Sequence, residues 1–303
     1  MKQVTTIDLG SNSFRVLIYD CLNHKIMDEY QEVVGMADGM VKTGIISAEA
    51  QQRVIDAIKT SSKQLNYDPK TAICVTTAAM RMATNSKDVL DNFERNTGAT
   101  FKIIDGIEEA RLTLLAVKYA LKREKINSSK FILLDIGGGS TEIIINDKNS
   151  HTSHSFNFGI VTLTQKHYGD EKLHQFLELK KLEIKNFLLT LNINLDEYTF
   201  VATAGTPTTV AAIKLGQDFF HYDKDLINGT IVNVDDLDNC LKLFENASNN
   251  DISALVGSGR VEFIEVGIYI YKTIFEVLEK KESIVLDDGL REGVAVNSCL
   301  LRQ

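Results

Sequence analysis

Two stretches of this 303-residue chain nearly repeat each other: IDLGSNSFRVLIYD at 7–20 and LDIGGGSTEIIIND at 134–147. Each is an apolar run closed by an aspartate, then a small polar loop, then a second apolar run ending in aspartate. Alternating and β-branched residues on either side of a Gly- or Asn-bearing turn predict a β-hairpin. The chain must therefore fold around two hairpins of one kind.

The segments after each copy run in the same order. In the first half, strands are predicted at 3–9, 14–20 and about 26–34. A helix capped by Ser47 follows, with Val54, Ile55, Ile58 and Leu65 at helical spacing. Then come a strand at 71–77, a helix bracketed by Ser86 and Gly98, a strand at 101–104, and a helix from about 107 with Leu112, Leu115, Ala116 and Tyr119 on its core face. The order is βββαβαβα. From 130 it restarts with strands KFILLDI, TEIIIND and HSFNF, helical sequence at about 160–191, the strand TFVATAG, a helix at 207–215, a less legible stretch to about 250, a helix at 262–279, the strand SIVLDD and a last helix from 290. The predicted class is α/β, with two domains of one topology, residues 1–126 and 127–303. The polar KREKINSSK at 122–130 marks the boundary, and its charges read as a solvated helix end in preference to a binding patch.

Composition removes several functions. With 44% hydrophobic residues the chain can bury two cores. No apolar run approaches the roughly 18 residues of a membrane span, and QVTTIDLG at the start reads as strand, so a cytoplasmic protein without a membrane partner is expected. Cys21, Cys74, Cys240 and Cys299 are far apart and form no CxxC, which predicts core thiols in place of a disulfide framework or zinc site. The formal charge of −8 argues against a general DNA- or RNA-binding surface, so an anionic ligand must be held locally.

The loops supply local means. In GSNS at 10–13 and GGGS at 137–140, small residues let successive backbone N–H groups converge on one point and hold phosphate oxygens. Ordinary hairpin turns also use Gly and Asn, and it is the paired occurrence that favours the phosphate reading. Asp8 and Asp135 close apolar strands, where a carboxylate needs a partner; a divalent cation or the turn amides would serve. Glu142 lies across the second turn and can join Asp135.

DLGSNSFR, TTAAMRMATN, IEEARL, DIGGGSTE, AGTPTT and GLREG occur in the order and spacing that resembles the exopolyphosphatase and guanosine pentaphosphate phosphatase (Ppx/GppA) family, within the actin-like ATPase superfamily. The resemblance runs through almost the whole chain. It implies two ribonuclease H-like domains around a central cleft, and magnesium-dependent hydrolysis of the terminal phosphoanhydride of polyphosphate or of guanosine pentaphosphate, the stringent-response nucleotide. By similarity Glu109 is the general base, with Glu108 the alternative, and Arg81 pairs with phosphate. Asp135, Glu142 and Asp8 fall at the metal. Ser11, Asn12, Ser13, Gly138, Gly139, Ser140 and Thr141 fall around phosphate. Arg15 reads equally as a phosphate ligand or a surface ion-pair member. A homodimer is expected, and a potassium requirement in addition to magnesium stays open.

Some features stand apart. AGTPTT has Ala204 where relatives often carry the first of two glycines, which leaves nucleotide-base contact open. His151 and His154 read as a solvated strand edge in preference to a metal site. The apolar stripe from Phe263 to Phe275 suits a core or a dimer contact, and the Asp287–Gly293 turn suits phosphate contact or packing. Two other classes fit the same scaffold. A small-molecule kinase is disfavoured by the EEAR glutamate, and a nucleotide-driven switch by the lack of inserted partner-binding segments.

Overall fold

The structure is a computed structural model and describes residues 3–148, 150–167 and 171–301. Eleven strands form two sheets: β1 (Gln3–Leu9), β2 (Ser13–Asp20), β3 (Lys25–Val33), β4 (Ile73–Thr76) and β5 (Phe101–Ile103) in one, and β6 (Lys130–Ile136), β7 (Thr141–Asp147), β8 (Ser150–Phe156), β9 (Thr199–Thr203), β10 (Thr230–Asn233) and β11 (Glu282–Val285) in the other. The first sheet runs β3-β2-β1-β4-β5 and the second β10-β11-β9-β6-β7-β8. Reversed, the second reproduces the first strand for strand, with β10 added at its edge. In both, the opening hairpin is antiparallel and β4, β5, β9 and β11 join in parallel through helices, while the added β10 pairs antiparallel with β11. The doubled α/β topology expected from the repeat is present.

β10 is the one strand absent from the sequence reading. It has four residues and lies in the stretch after 215 where the pattern fades. The helical sequence expected over 160–191 is two helices, Ile160–His167 and Glu171–Thr190, and residues 168–170 lie outside the described residues.

The chain divides into two compact units, Met1–Val117 with Asp288–Gln303, and Lys118–Asp287. This differs from the expected division at 126/127, because the final helix, Leu290–Leu300, returns to the first sheet. The reason lies in its side chains. Arg291, 5% exposed, pairs with Glu29 on β3 at 2.9 Å and with Glu292 at 2.5 Å, while its carbonyl accepts from Thr6 on β1 at 3.2 Å. Gly293 lies against the helix Gly106–Arg123: a Cβ there would stand 2.0 Å from the Leu112 carbonyl oxygen. Leu290 and Val294 close a cluster with Val75, Ile104 and Leu112.

A second departure is covalent. Cys21, just after β2, and Cys299, in the final helix, form a disulfide across 278 residues of sequence. The core-thiol expectation thus fails for these two and holds for Cys74 and Cys240, which are buried, with thiols that burial pushes up to about 12.

The second unit has an extensive core of its own. The helix Ile264–Leu278 supplies Val266, Ile268, Ile270, Tyr271, Ile274 and Phe275 to it, so the apolar stripe is core. Gly267 lets that helix approach the one at Gly205–Lys214, since a Cβ would meet the Thr206 hydroxyl at 2.2 Å. On edge strand β8, His151 is exposed and the His154 ring packs on Phe156 and Phe187 at 4.5 and 5.2 Å. Among the described residues, no helix is long and apolar enough to cross a membrane.

Candidate active site

Both glycine-rich loops are built by tying their carbonyls to the chain that follows. In the first, the Asn12 carbonyl accepts from the amides of Val34 and Gly35 and the Ser11 carbonyl from Ala37, while the Gly10 amide closes the turn on Ser13. In the second, the Gly138 carbonyl accepts from Val161 and Thr162, the Gly137 carbonyl from Ile160, and the Gly137 amide closes on Ser140. Gly159 makes this possible, because a Cβ there would stand 2.4 Å from the Gly137 carbonyl oxygen. With its carbonyls held by neighbouring chain, each loop keeps small residues and amides for a ligand.

The first loop also holds unused donors. The Ser11 hydroxyl and the Arg15 Nε are buried without a hydrogen-bond partner. Buried donors are seldom left so, and an oxyanion would satisfy both. Thr141, expected at phosphate, is 0% exposed and its hydroxyl braces the second loop by donating to the Phe158 carbonyl at 2.8 Å. Ser140, 2% exposed, stays in the loop itself.

The registers place the acidic residues. Asp135 on β6 lies opposite Glu142 on β7. Directly opposed residues have Cβ atoms roughly 5 Å apart on one face. They are 9% and 1% exposed. Two adjacent buried carboxylates repel one another, and a cation is the natural remedy. Glu142 is fixed from its other side by Ser155 on β8, its register partner there, whose hydroxyl donates to Oε1 at 2.6 Å. Ser155 was missed from sequence, although the alternation along HSFNF aligns it with Glu142. Among the described residues no three His, Cys, Asp or Glu side chains gather as a closed metal cage. Two carboxylates with open positions fit magnesium, which keeps several waters and binds through one or two carboxylates plus phosphates. Asp8 lies in the other unit, opposite Arg15 in the β1–β2 register.

Glu109 stands in the first turn of the helix Gly106–Arg123 and is 8% exposed. Arg81, at the end of the short helix Ala78–Met82, donates Nη1 to Glu109 Oε2 at 2.7 Å and to the Ile104 carbonyl at 2.9 Å. The two residues that similarity assigns to catalysis are thus in contact. Glu108 points elsewhere: Arg111 grips it with Nε at 2.7 Å and Nη2 at 2.9 Å, and that hydrogen-bonded guanidinium holds its carboxyl below the usual range. The Glu-x-x-Arg spacing could have revealed this pair in the sequence.

The turn at 287–293 is held by local hydrogen bonds. Asp287 accepts from the Tyr222 hydroxyl at 2.9 Å, and Glu292 caps its own helix by accepting from the Gly289 amide at 2.9 Å. In AGTPTT, Ala204 has φ 73° and ψ −174°, a conformation open to glycine and strained for alanine. The glycine expected there has a conformational reason.

Comparison with known proteins bears on this geometry. The Ppx/GppA phosphatase family model matches residues 17–302. A guanosine-5'-triphosphate,3'-diphosphate pyrophosphatase of Vibrio atlanticus is 29% identical over 95% of this chain and 58% of its own length. A bifunctional 3-dehydroquinate synthase/phosphatase of Fusobacterium nucleatum is 25% identical over 95% of this chain and 46% of its own. The chain therefore spans about half the length of the curated relatives it matches. Among solved structures, the Ppx/GppA family member of Aquifex aeolicus superposes with a TM-score of 0.77 at 27% identity, covering 99% of this chain and 98% of that one. An exopolyphosphatase of Cytophaga hutchinsonii gives 0.84 at 21% identity, covering 98% and 97%, and speaks for the fold alone. The matched model, the two like sheets and the glycine-rich hairpins agree: this chain belongs to the Ppx/GppA phosphatase family, with its paired ribonuclease H-like, actin-like units.

Proposed function

We propose that the chain is a phosphohydrolase that releases the terminal phosphate of inorganic polyphosphate, of guanosine pentaphosphate, or of both. The observation that carries the assignment of the base is the half-buried Arg81–Glu109 pair, with Glu108 engaged by Arg111. Glu109 accepts a proton from water as the water oxygen bonds to the terminal phosphorus. The bond from that phosphorus to its bridging oxygen breaks, and the shortened phosphate chain leaves with the electron pair. Arg81 orients the carboxylate and keeps Nε and Nη2 for a phosphate oxygen.

Asp135 and Glu142 would hold magnesium, which supplies charge neutralisation on the phosphates when bound. In the second unit the amides of 138–140, and in the first those of 11 and 12 with the Ser11 hydroxyl and Arg15, are suited to phosphate oxygens. Little else is needed, because phosphoryl transfer rests on positioning and charge stabilisation.

The test is phosphate release in magnesium from long polyphosphate, short polyphosphate, guanosine pentaphosphate and ATP, by the wild-type chain and by Glu109→Gln. The variant is expected to lose about 10³-fold in kcat, within the usual range for removing a general base, and to keep its melting temperature. Full activity in the variant would discard Glu109 as the base. Release from none of the four substrates would discard the hydrolase reading.

A further inference from the structure

A cavity of about 380 Å³ opens in the second unit, away from the loops. It is walled by the last turns of the helix Gly106–Arg123, the connection to β6 and the far end of the β6–β7 hairpin. Lys118, Lys122 and Lys148 line it, with Asn127, Ser129 and Asn146. Asn146 and Glu142 lie on the same strand four residues apart, which puts roughly 13 Å between them. Along the helix, nine residues separate Lys118 from Glu109, a rise of about 14 Å. The cavity is therefore a different place from the candidate active site.

Its three lysines are exposed. Among the described residues none of the three lysines has an ion-pair partner. The nearby acids are engaged elsewhere: Asp147 and Glu197 with Lys130, and Glu124 with Arg123. Cations at a helix C-terminus are ordinary, because they complement the dipole. That accounts for Lys122, in the last turn, but not for Lys148, which comes from the hairpin end.

A second observation is independent of charge. Asn146 is 2% exposed; its Nδ2 donates to the Ser129 carbonyl at 3.0 Å, and its Oδ1 has no partner. The Lys148 amide holds the same carbonyl at 2.9 Å, so the wall is fixed in place with one acceptor unmet. Orphaned buried acceptors are uncommon and call for a donor.

We infer that this cavity binds a small phosphate monoester whose organic body carries a hydrogen-bond donor. Three ammonium groups match the double charge of a phosphate group. Asn146 asks for an N–H or O–H donor beside it. The volume exceeds what inorganic phosphate would fill, and Leu121 and Ile126 offer apolar wall to the remainder. Burial lowers the affinity of Lys118 for its proton, and a bound anion would reverse that penalty. The basic stretch at 122–130 then contributes to a binding site as well as ending a helix.

Calorimetric titration of the whole chain without magnesium, using AMP, ribose 5-phosphate, adenosine, inorganic phosphate and citrate, tests the inference. The two monoesters should bind at submillimolar to millimolar concentration, more tightly than adenosine, phosphate or citrate. Lys122→Ala combined with Lys148→Ala should weaken them about tenfold or more, the scale of lost charge-assisted contacts. Asn146→Asp, which places a negative charge at the acceptor, should weaken them as well, and melting curves of both variants establish that they are folded. Absence of monoester binding would overturn the site. So would binding indifferent to the lysine changes, which would place the ligand at the glycine-rich loops. Citrate binding as tightly as the monoesters would overturn the ligand class.

Discussion

The two hairpins share backbone, register and loop construction, and they differ in one charge. In the first, Asp8 faces Arg15; in the second, Asp135 faces Glu142. A carboxylate opposite a guanidinium sets unlike charges on one face, which suits an anion at the guanidinium. Two carboxylates face to face set like charges there, which suits a cation. One hairpin geometry thus carries opposite signs at a single position, Arg15 in the first unit and Glu142 in the second. The support differs too. The first hairpin leans on the chain's final helix through the Arg291 carbonyl, which accepts from Thr6, and the Cys21–Cys299 disulfide, and the second on helices of its own contiguous segment.

The sharpest way to break this contrast is Glu142→Arg, which would make the second hairpin a copy of the first. Phosphate release should fall by about 10³-fold or more at any magnesium concentration. The milder Glu142→Gln should need more magnesium for half-maximal rate, and a magnesium titration of both variants reads the difference. An unchanged magnesium curve would remove Glu142 from the metal.

The difference in support is tested by Gly293→Ala. A methyl group 2.0 Å from the Leu112 carbonyl oxygen cannot be accommodated without moving the helix. Unfolding in urea should show a loss of about 3 kcal/mol, in the range for overpacked sites. A variant as stable as wild type would mean that the helix can shift freely.

Ala204→Gly asks whether the second unit stores strain beside its site. Removing an alanine from φ 73°, ψ −174° should raise stability by about 1 kcal/mol, the strain relieved being partly offset by the greater chain entropy of glycine. A lowered melting temperature would show the backbone to be unstrained.

Arg15→Gln should have the smallest effect: KM for the phosphate substrate rises several-fold, by about 1 kcal/mol of lost charge-assisted hydrogen bonding, with kcat little changed. An unaltered KM would leave Arg15 as the counterion of Asp8 alone.

The hairpins were legible because a period of two and a glycine-rich turn are local signals, and so were the loops, Asp135 and Glu142. The choice between Glu108 and Glu109 depends on Arg81, which is 28 residues from Glu109 and comes from another helix. Local sequence carries half of that answer, in the spacing of Glu108 and Arg111. The disulfide and the return of the last helix join residues almost a chain length apart, and no window of sequence contains both partners. The direction of the Thr141 hydroxyl was not legible either: within one loop, only the three-dimensional path tells which hydroxyl turns inward to Phe158.

The return of residues 288–301 to the first sheet also sets an order of assembly. The second unit is one uninterrupted insertion, Lys118–Asp287, into a first unit whose two pieces flank it. During synthesis the second unit can fold once its last strand leaves the ribosome. The first must wait with the edge of its core uncovered until Leu290 and Val294 arrive. The usual N-terminal-first sequence of domain folding is thereby inverted. A released chain truncated after residue 287 should resist protease in the second unit and be cut in the first, so the unit translated first is the one whose maturation comes last.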